Sequence, residues 1–191
     1  MNVREVMTSA VVTCAAETNA GDAVRAMWEQ DLGFVPVVDR ASKKVLGVVT
    51  DRDACMGAFT QGRTLHHVAI QSCMGKAVHG IGPDATLSQA LATMADKQVR
   101  RLPVIDQKGQ LLGLITLGGI ARAAADAKDR ALLAEVGATL ARVCTPPKVA
   151  AGRAPEARSA TEAAKILPAS PPPKNRDAGP TQTRKRPRTK A

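Results

Sequence analysis

The stretch FVPVVD at residues 34–39 returns as RLPVID at residues 101–106, 67 positions later. A second stretch, LGVVT at residues 46–50, returns as LGLIT at residues 112–116, 66 positions later. An internal repeat indicates one folding unit that has been duplicated, and it makes the space between the copies the first place to look for a site. Because the period is long and there are only two copies, the pattern favours a pair of globular units over a solenoid.

Each copy contains the same order of predicted helices and strands. In the first copy, apolar residues recur at helical spacing over residues 20–30, after a polar start. Two short apolar strands with a polar turn between them follow, and then a second helix. A further helical run at residues 120–143 has apolar positions that suit packing on its own domain and on a second subunit equally well. The prediction is an α+β (α/β) protein of two β-α-β-β-α repeats, residues 1–62 and 68–126, with a helix at 127–144 and a tail at 145–191.

The positive charge of the chain is concentrated in the tail. Residues 145–191 hold 11 Lys and Arg against 3 acidic residues, and 9 of the 12 prolines, so the first 144 residues carry only +2 of the total +10. With few apolar anchors, the tail is predicted to be disordered. Two interpretations stay open: a solubilising tail, or a weak, sequence-blind contact with nucleic acid or another anionic surface.

The sequence argues against an enzyme and against a membrane protein. It contains no nucleophile beside a general base, no paired carboxylates and no Walker-type glycine-rich loop. No segment reaches transmembrane length and the N-terminus lacks a secretory pattern, so we expect a cytoplasmic protein. The four cysteines have no metal-binding spacing, and His66 with His67 lies in the connection between the copies. We therefore expect no catalytic residue, no metal site and reduced thiols.

The paired hairpins resemble a tandem pair of CBS domains, the regulatory module of the cystathionine-β-synthase type. The resemblance covers roughly residues 1–122. It implies two copies that pack through their sheets about a pseudo-twofold axis, two clefts between them that commonly hold adenine nucleotides or related adenosyl ligands, and a disc-like homodimer. The residues that carry the resemblance are 35–39 with 47–53, 102–106 with 113–116, and the leading VMT at 6–8, which returns as CMG at 73–75.

The resemblance places one of these clefts, the first cleft, at the pattern Gly47-x-x-Thr50-x-x-Asp53. A carboxylate just after a strand can accept hydrogen bonds from both ribose hydroxyls, so Asp53 is the expected ribose ligand and Thr50 a ribose or phosphate ligand. Asp51 is expected to stabilise the start of the next helix by itself, which leaves Asp53 free. The other interpretation is that Asp53 is an exposed carboxylate at the helix start.

The other copy is expected to complete the first cleft. Arg101, and after it Arg100, are the predicted phosphate ligands, since a planar guanidinium matches phosphate oxygens. The first copy has Gly33 and Phe34 at the equivalent places, so arginines occur only where this cleft needs them. The predicted surroundings of the adenine are Val78, His79, Gly80 and Leu102.

The second cleft departs from the family pattern. Thr116 is present, but Gly119 stands where the ribose carboxylate belongs. Thr13, Phe34 and Val35 could line an apolar pocket there. We expect this cleft to bind weakly or to stay empty.

The resemblance, taken with these residues, implies a non-catalytic regulatory homodimer. It would bind an adenine nucleotide such as AMP, ADP or ATP, need no other cofactor, and signal occupancy to an unidentified regulated protein. A ligand bound across the copies would bias their packing through its different affinity for two states. The alternative is a structural or adaptor dimer without a bound ligand, which acts through its basic tail on nucleic acid or another anionic partner.

Overall fold

The computed structural model describes residues 1–145, and the predictions for the tail beyond them lie outside the described residues. Apart from the opening strand of the second repeat, the predicted helices and strands occur in the predicted order, and the α+β fold class is confirmed. None of the helices within residues 1–145 has the length and apolar character that crossing a bilayer requires. In chain order the elements are α1 (Val3–Val6), β1 (Cys14–Ala15), α2 (Ala20–Glu29), β2 (Val35–Val38), β3 (Val45–Val49), α3 (Asp51–Gln61), α4 (Leu87–Lys97), β4 (Arg101–Ile105), β5 (Leu111–Thr116), α5 (Leu117–Asp126) and α6 (Arg130–Val143), with 3-10 turns at Leu65–His67 and Ile70–Ser72.

Each repeat is built on an antiparallel hairpin, β2–β3 in the first and β4–β5 in the second. The strand that opens the first repeat, β1, pairs parallel with β2. In the second repeat this opening strand is reduced to a single parallel bridge between Ile81 and Val104. Both hairpins have a register shift at the same place, after Val37 and after Val104. The repeated sequence therefore produces a repeated backbone, down to the position of the irregularity.

The segment that leads into each repeat pairs with the other repeat. Thr8 and Leu114 exchange two backbone hydrogen bonds, of 2.8 and 2.9 Å, although they belong to different sequence copies. Val48 and Gly75 form the equivalent exchange on the opposite side, at 3.0 and 2.8 Å. The two copies are therefore interlocked, because each contributes a backbone segment to the edge of the other's hairpin.

The two hydrophobic cores follow the same exchange. The core of the second repeat contains the predicted face of α4, with Leu87, Leu91 and Met94, and it also contains Val3 from the start of the chain. The core of the first repeat includes residues from the connection between the copies, among them Ile70, which is fully buried. Neither core is formed by one sequence copy alone.

The helical run predicted over residues 120–143 consists of two helices, and the break lies close to residues 126 and 127, where the sequence separates the second repeat from the C-terminal helix. α5 ends at Asp126, Lys128 takes a left-handed backbone conformation with φ of 56°, and the side chain of Asp129 accepts a hydrogen bond from the N–H of Leu132. A residue in this conformation reverses the chain, and an Asp at the N-cap starts a new helix. α6 then packs back on α4 and α5 of its own domain.

Candidate functional site

The N-terminus of α3 holds Thr50 and Asp53, the predicted ribose ligands, and these two residues bind each other. The hydroxyl of Thr50 accepts the N–H of Asp53 at 3.2 Å, while Oδ2 of Asp53 accepts the N–H of Thr50 at 3.0 Å and its hydroxyl at 2.7 Å. Asp51 only accepts the N–H of Arg52. The expectation that Asp51 would leave Asp53 free is wrong, because the reciprocal capping box uses the residue three positions after the N-cap.

The residues predicted to surround the adenine lie in two different environments in the structure. Val78, His79 and Gly80 are half-buried and approach β4, where the following residue bridges to the strand. A Cβ on Gly80 would lie 2.5 Å from Cδ1 of Ile105, so a larger residue at this position would require the Ile105 side chain to move. Leu102 is fully buried in the core of the second repeat. This corrects the expectation that its side chain flanks a ligand.

Two half-buried thiols, Cys14 and Cys73, pack against the core of the first repeat, and burial sets their chemistry. Burial raises the pKa of Cys14 to about 11, with a smaller contribution from Cys73. Burial also raises the pKa of Cys73, and the charge of Asp53 adds to the effect. All four cysteines are free, and within residues 1–145 no three His, Cys, Asp or Glu side chains are grouped as metal ligands would be.

A cavity of about 200 Å³ lies between the repeats at the second cleft, and we call it the inter-repeat cavity. Phe34 and Val12 contribute to its apolar wall from the first repeat, and Thr116 lines it from the second. Arg101 pairs with Thr116 across β4 and β5 and also lines this cavity. Its Nη2 atom would lie 3.9 Å from a Cβ placed on Gly33. A guanidinium from the second repeat therefore extends to the first repeat at this point.

The structure thus regroups the predicted ligand residues. Arg101, which the sequence assigned to the first cleft, lines the inter-repeat cavity with Phe34 and Thr116 of the second-cleft set. Thr13 and Val35 of that set line a separate groove of about 460 Å³ along β1 and α2, and Val35 is buried. The expected composition of both clefts is corrected accordingly.

Sequence reasoning missed three polar residues of the inter-repeat cavity, Thr8, Gln30 and Asp31, of which Asp31 carries the only charge. Asp31 has a left-handed backbone conformation with φ of 53°, and its equivalent in the second repeat, Gln98, has φ of 52°. Asp adopts a positive φ more often than most residues do, but an Asp in a single sequence does not by itself predict this conformation. The only available signal was the equivalence of the two positions in the repeat.

An outer groove of about 440 Å³ adjoins the cavity, since Arg101 and Thr116 line both spaces. Arg100 lines this groove as well, and its apolar wall includes Leu117 and Val136. Neither arginine forms an ion pair with another residue in the described part of the chain. Two cationic groups are therefore available at the mouth of the cavity.

The comparisons with known proteins agree with the repeated fold. A family model described as the CBS domain matches twice, over residues 3–56 and 70–126. Protein MK0525 of Methanopyrus kandleri is 29% identical over 120 residues, which are 63% of this chain and 61% of that protein. The CBS domain-containing protein YhcV of Bacillus subtilis is 32% identical over 120 residues, 63% of this chain and 83% of that protein.

Among solved structures, CBSX2 in complex with AMP is 25% identical and superposes with a TM-score of 0.58. The match covers 66% of this chain and 98% of that chain. The similarity therefore extends over nearly the whole of that chain. With two matches to the family model covering more than half of the sequence, in register with two interlocked repeats, this chain belongs to the CBS domain family.

Proposed function

We propose that this chain is a non-catalytic regulatory CBS pair that binds an adenine nucleotide between its repeats. The observation that carries the proposal is Arg101, whose guanidinium extends from the second repeat towards Gly33 in a cavity with an apolar wall. A guanidinium without an ion-pair partner offers the charge and the hydrogen-bond geometry that a phosphate needs. The AMP complex of CBSX2, a relative of 25% identity, supports an adenine nucleotide as the ligand.

The sizes of the two adjoining spaces suggest how such a ligand is divided between them. The inter-repeat cavity, at about 200 Å³, is smaller than the roughly 300–1,000 Å³ of most ligand pockets. It suits the base and the ribose, with the base against Phe34 and Val12. The phosphate then extends to the outer groove, where Arg100 and Arg101 are both available.

The ribose needs hydrogen-bond acceptors, and Gly119 supplies none on the second repeat. Asp31, on the opposite wall of the inter-repeat cavity, offers a carboxylate from the first repeat. A ligand held by Asp31 and Arg101 contacts both repeats at once. Its binding energy then depends on how the repeats are packed, and this dependence is what a regulatory ligand requires. The signal passes to a regulated protein that recognises one packing state.

Thermal unfolding with AMP, ADP, ATP and S-adenosylmethionine tests this proposal. A ligand at 100 times its dissociation constant stabilises the folded state by about 2.7 kcal/mol, which corresponds to several degrees in a domain of this size. We expect the shift to disappear in Arg101→Gln. Arg122→Gln, which removes an exposed arginine from α5, is the matched control and should retain it.

A second variant distinguishes the two clefts. Asn at position 53 keeps an oxygen that can accept the N–H of Thr50, so Asp53→Asn preserves the start of α3 better than Ala does. If the ligand lies in the inter-repeat cavity, the shift survives in Asp53→Asn. If the shift is lost in Asp53→Asn and kept in Arg101→Gln, the ligand lies in the first cleft, as the sequence predicts. No shift with any of the four compounds would contradict nucleotide binding altogether.

The alternative function, an adaptor that acts through its tail, is supported by the net charge of +8 at residues 145–191. Such contacts weaken steeply with salt because they release counterions. Fluorescence anisotropy of duplex DNA with the full chain and with a chain that ends at Thr145 separates the two functions. Binding that depends on salt and vanishes with the tail, together with no nucleotide effect, would favour the adaptor.

A further inference from the structure

The outer groove has an apolar side that a phosphate group does not use. Its polar side chains come from the strands, with Arg100 and Arg101 around the start of β4 and Thr116 at the end of β5. The rest of its lining comes from α5 and α6 and carries no polar side chain: Leu117, Gly118, Ala121, Val136 and Leu140. The groove is therefore amphipathic, with cationic groups on the side of the strands and hydrocarbon on the side of the helices.

The two helices form a continuous apolar wall. Leu117 and Ala121 lie one turn apart on α5, and Val136 and Leu140 lie one turn apart on α6, which packs against α5. Each helix therefore contributes two neighbouring apolar side chains to the groove. Leu140 is 47% exposed even though it lines a concave site. A hydrocarbon group bound there would remove this surface from water, which is favourable.

The equivalent place in the first repeat has a different character. Gly33 stands where the second repeat has Arg100, and Asp51 stands where it has Leu117. Both line a groove of about 410 Å³ whose charged residues are two carboxylates. α3 is followed by a 3-10 turn, so nothing in the described part of that repeat corresponds to α6. The amphipathic groove therefore depends on α6 and on the two arginines, and the repeated fold alone does not produce it.

The size and the lining of the outer groove indicate what its apolar side can hold. Its volume of about 440 Å³ lies in the range of ligand pockets, so it has room for more than a phosphate. A second nucleobase needs hydrogen-bond partners and is commonly stacked on an aromatic ring. Thr116 is the one uncharged polar side chain of the lining, and no aromatic residue belongs to it. The lining therefore favours an aliphatic group over a second nucleoside.

The anionic and the aliphatic parts of such a ligand would be neighbours. Leu117 opens α5, so the positive end of this helix lies beside Arg100 and Arg101 in the same groove. A phosphate with a hydrocarbon substituent on one oxygen is still an anion and can still bind a guanidinium. A phosphate held at the arginines can therefore place its substituent against α5 and α6.

We propose that the ligand of this protein is an adenine nucleotide whose phosphate carries an aliphatic group, the chemistry of an acyl-adenylate. The phosphate lies at Arg100 and Arg101, and the aliphatic chain lies between α5 and α6 against Leu117, Val136 and Leu140. This inference rests on the proposed nucleotide binding and goes beyond it, because it names the class of nucleotide and makes α6 part of the site. A nucleotide with an unsubstituted phosphate leaves the apolar side of the groove in water.

Isothermal titration calorimetry of the full chain with AMP and with its methyl and hexyl phosphate esters tests the inference. The two esters have the same charge and differ only in the length of the hydrocarbon. The hexyl ester should bind at least about tenfold more tightly than the methyl ester, equivalent to about 1.4 kcal/mol, which burial of part of the chain supplies. Hexyl phosphate, which has the chain but no adenosine, should bind at least about tenfold more weakly than the hexyl ester.

Variants of α6 locate the chain. Leu140→Ser should reduce the ratio of the two ester affinities at least about threefold, because it removes an apolar wall from the chain. Val136→Thr, which keeps the shape of the side chain, should reduce the ratio in the same direction. Leu133→Ser is the matched control and should leave the ratio unchanged, since Leu133 is an exposed leucine of the same helix that does not line the groove.

The outcomes separate this inference from nucleotide binding itself. Equal affinities for the two esters would overturn the inference and leave nucleotide binding intact. A ratio that neither Leu140→Ser nor Val136→Thr changes, with unchanged circular dichroism, would place the chain outside the groove and overturn it as well. Hexyl phosphate that binds as tightly as the hexyl ester would mean a site for alkyl anions without a nucleoside. If AMP and both esters fail to bind, the proposed function fails and the inference fails with it.

Discussion

Two glycines show how closely the repeats approach each other. A Cβ on Gly113 would lie 2.8 Å from the carbonyl oxygen of Thr8 and 3.0 Å from Sδ of Met7. The equivalent Gly47 would place a Cβ 2.7 Å from the carbonyl oxygen of Gly75, with Sδ of Met74 at 2.9 Å. The glycine of the repeated LGxx motif and the methionine of the leading segment therefore form one contact, made twice.

Gly113→Ala should lower the free energy of unfolding by about 1–3 kcal/mol, as expected for overpacking of a closed contact. The carbonyl of Thr8 cannot move away freely, because it accepts the N–H of Leu114 at 2.9 Å. Urea unfolding measures the change. Gly82→Ala is the matched control, since a Cβ there would meet nothing within 4 Å. Equal urea midpoints for Gly113→Ala and Gly82→Ala would contradict the close contact between Gly113 and Thr8.

The helices that follow the two hairpins differ in how they begin. At α3, Thr50 and Asp53 form a reciprocal capping box. At α5, the hydroxyl of Thr116 accepts the N–H of Gly119 at 2.9 Å, but Gly119 has no side chain to return the hydrogen bond. The N-terminus of α5 therefore has an incomplete capping box, and the missing side chain is at Gly119, where the sequence departs from the family pattern.

Gly119→Asp should raise the free energy of unfolding by about 0.5–1 kcal/mol, because it completes the capping box and places a carboxylate at a helix N-terminus. A Cβ at position 119 would lie 3.1 Å from Oγ1 of Thr116, a close contact that the equivalent pair at α3 accommodates. Gly119→Ala measures the effect of replacing the glycine alone, so the difference between the Asp and Ala variants gives the contribution of the carboxylate. If thermal unfolding shows that Gly119→Asp is less stable than Gly119→Ala, the crowding against Thr116 outweighs the gain from the completed capping box.

At the scale of the whole molecule, the two repeats share their cores. Val3 is fully buried in the core of the second repeat, although it opens the first sequence copy. α1 is fixed there by backbone hydrogen bonds of 2.9 Å from Val3 to Ala85 and from Arg4 to Pro83. The folding unit is therefore the pair.

Val3→Ala should reduce the free energy of unfolding by about 1.5–3 kcal/mol, the range for burial of a side chain of this size. Arg4→Ala in the same helix removes only an exposed ion pair with Asp84, which contributes at most about 1 kcal/mol. Chemical denaturation of both variants tests the difference. If Val3→Ala has no larger effect than Arg4→Ala, the start of the chain is not part of that core.

The sequence by itself determined the repeated fold. Periodicity and the two hairpin motifs located both helices and both strands of each repeat within about two residues, because these patterns depend on local burial and local turns. It placed a boundary at residues 126 and 127 but did not reveal the left-handed backbone of Lys128, since a positive φ at a lysine leaves no local signal. Nor did it reveal that residues 6–8 and 73–75 exchange repeats, because motif order along a chain does not specify pairing partners.

Only the tertiary structure decided the composition of the candidate site. The family resemblance assigned Arg101 to the cleft of Asp53, but the side chain of Arg101 lines the inter-repeat cavity together with Phe34, and Asp53 is engaged by Thr50. Leu102, its neighbour in the strand, points to the core, since alternate residues of a strand face opposite sides. Which side chains share a cavity depends on how one repeat packs against the other. The sequence of either repeat alone does not determine that packing.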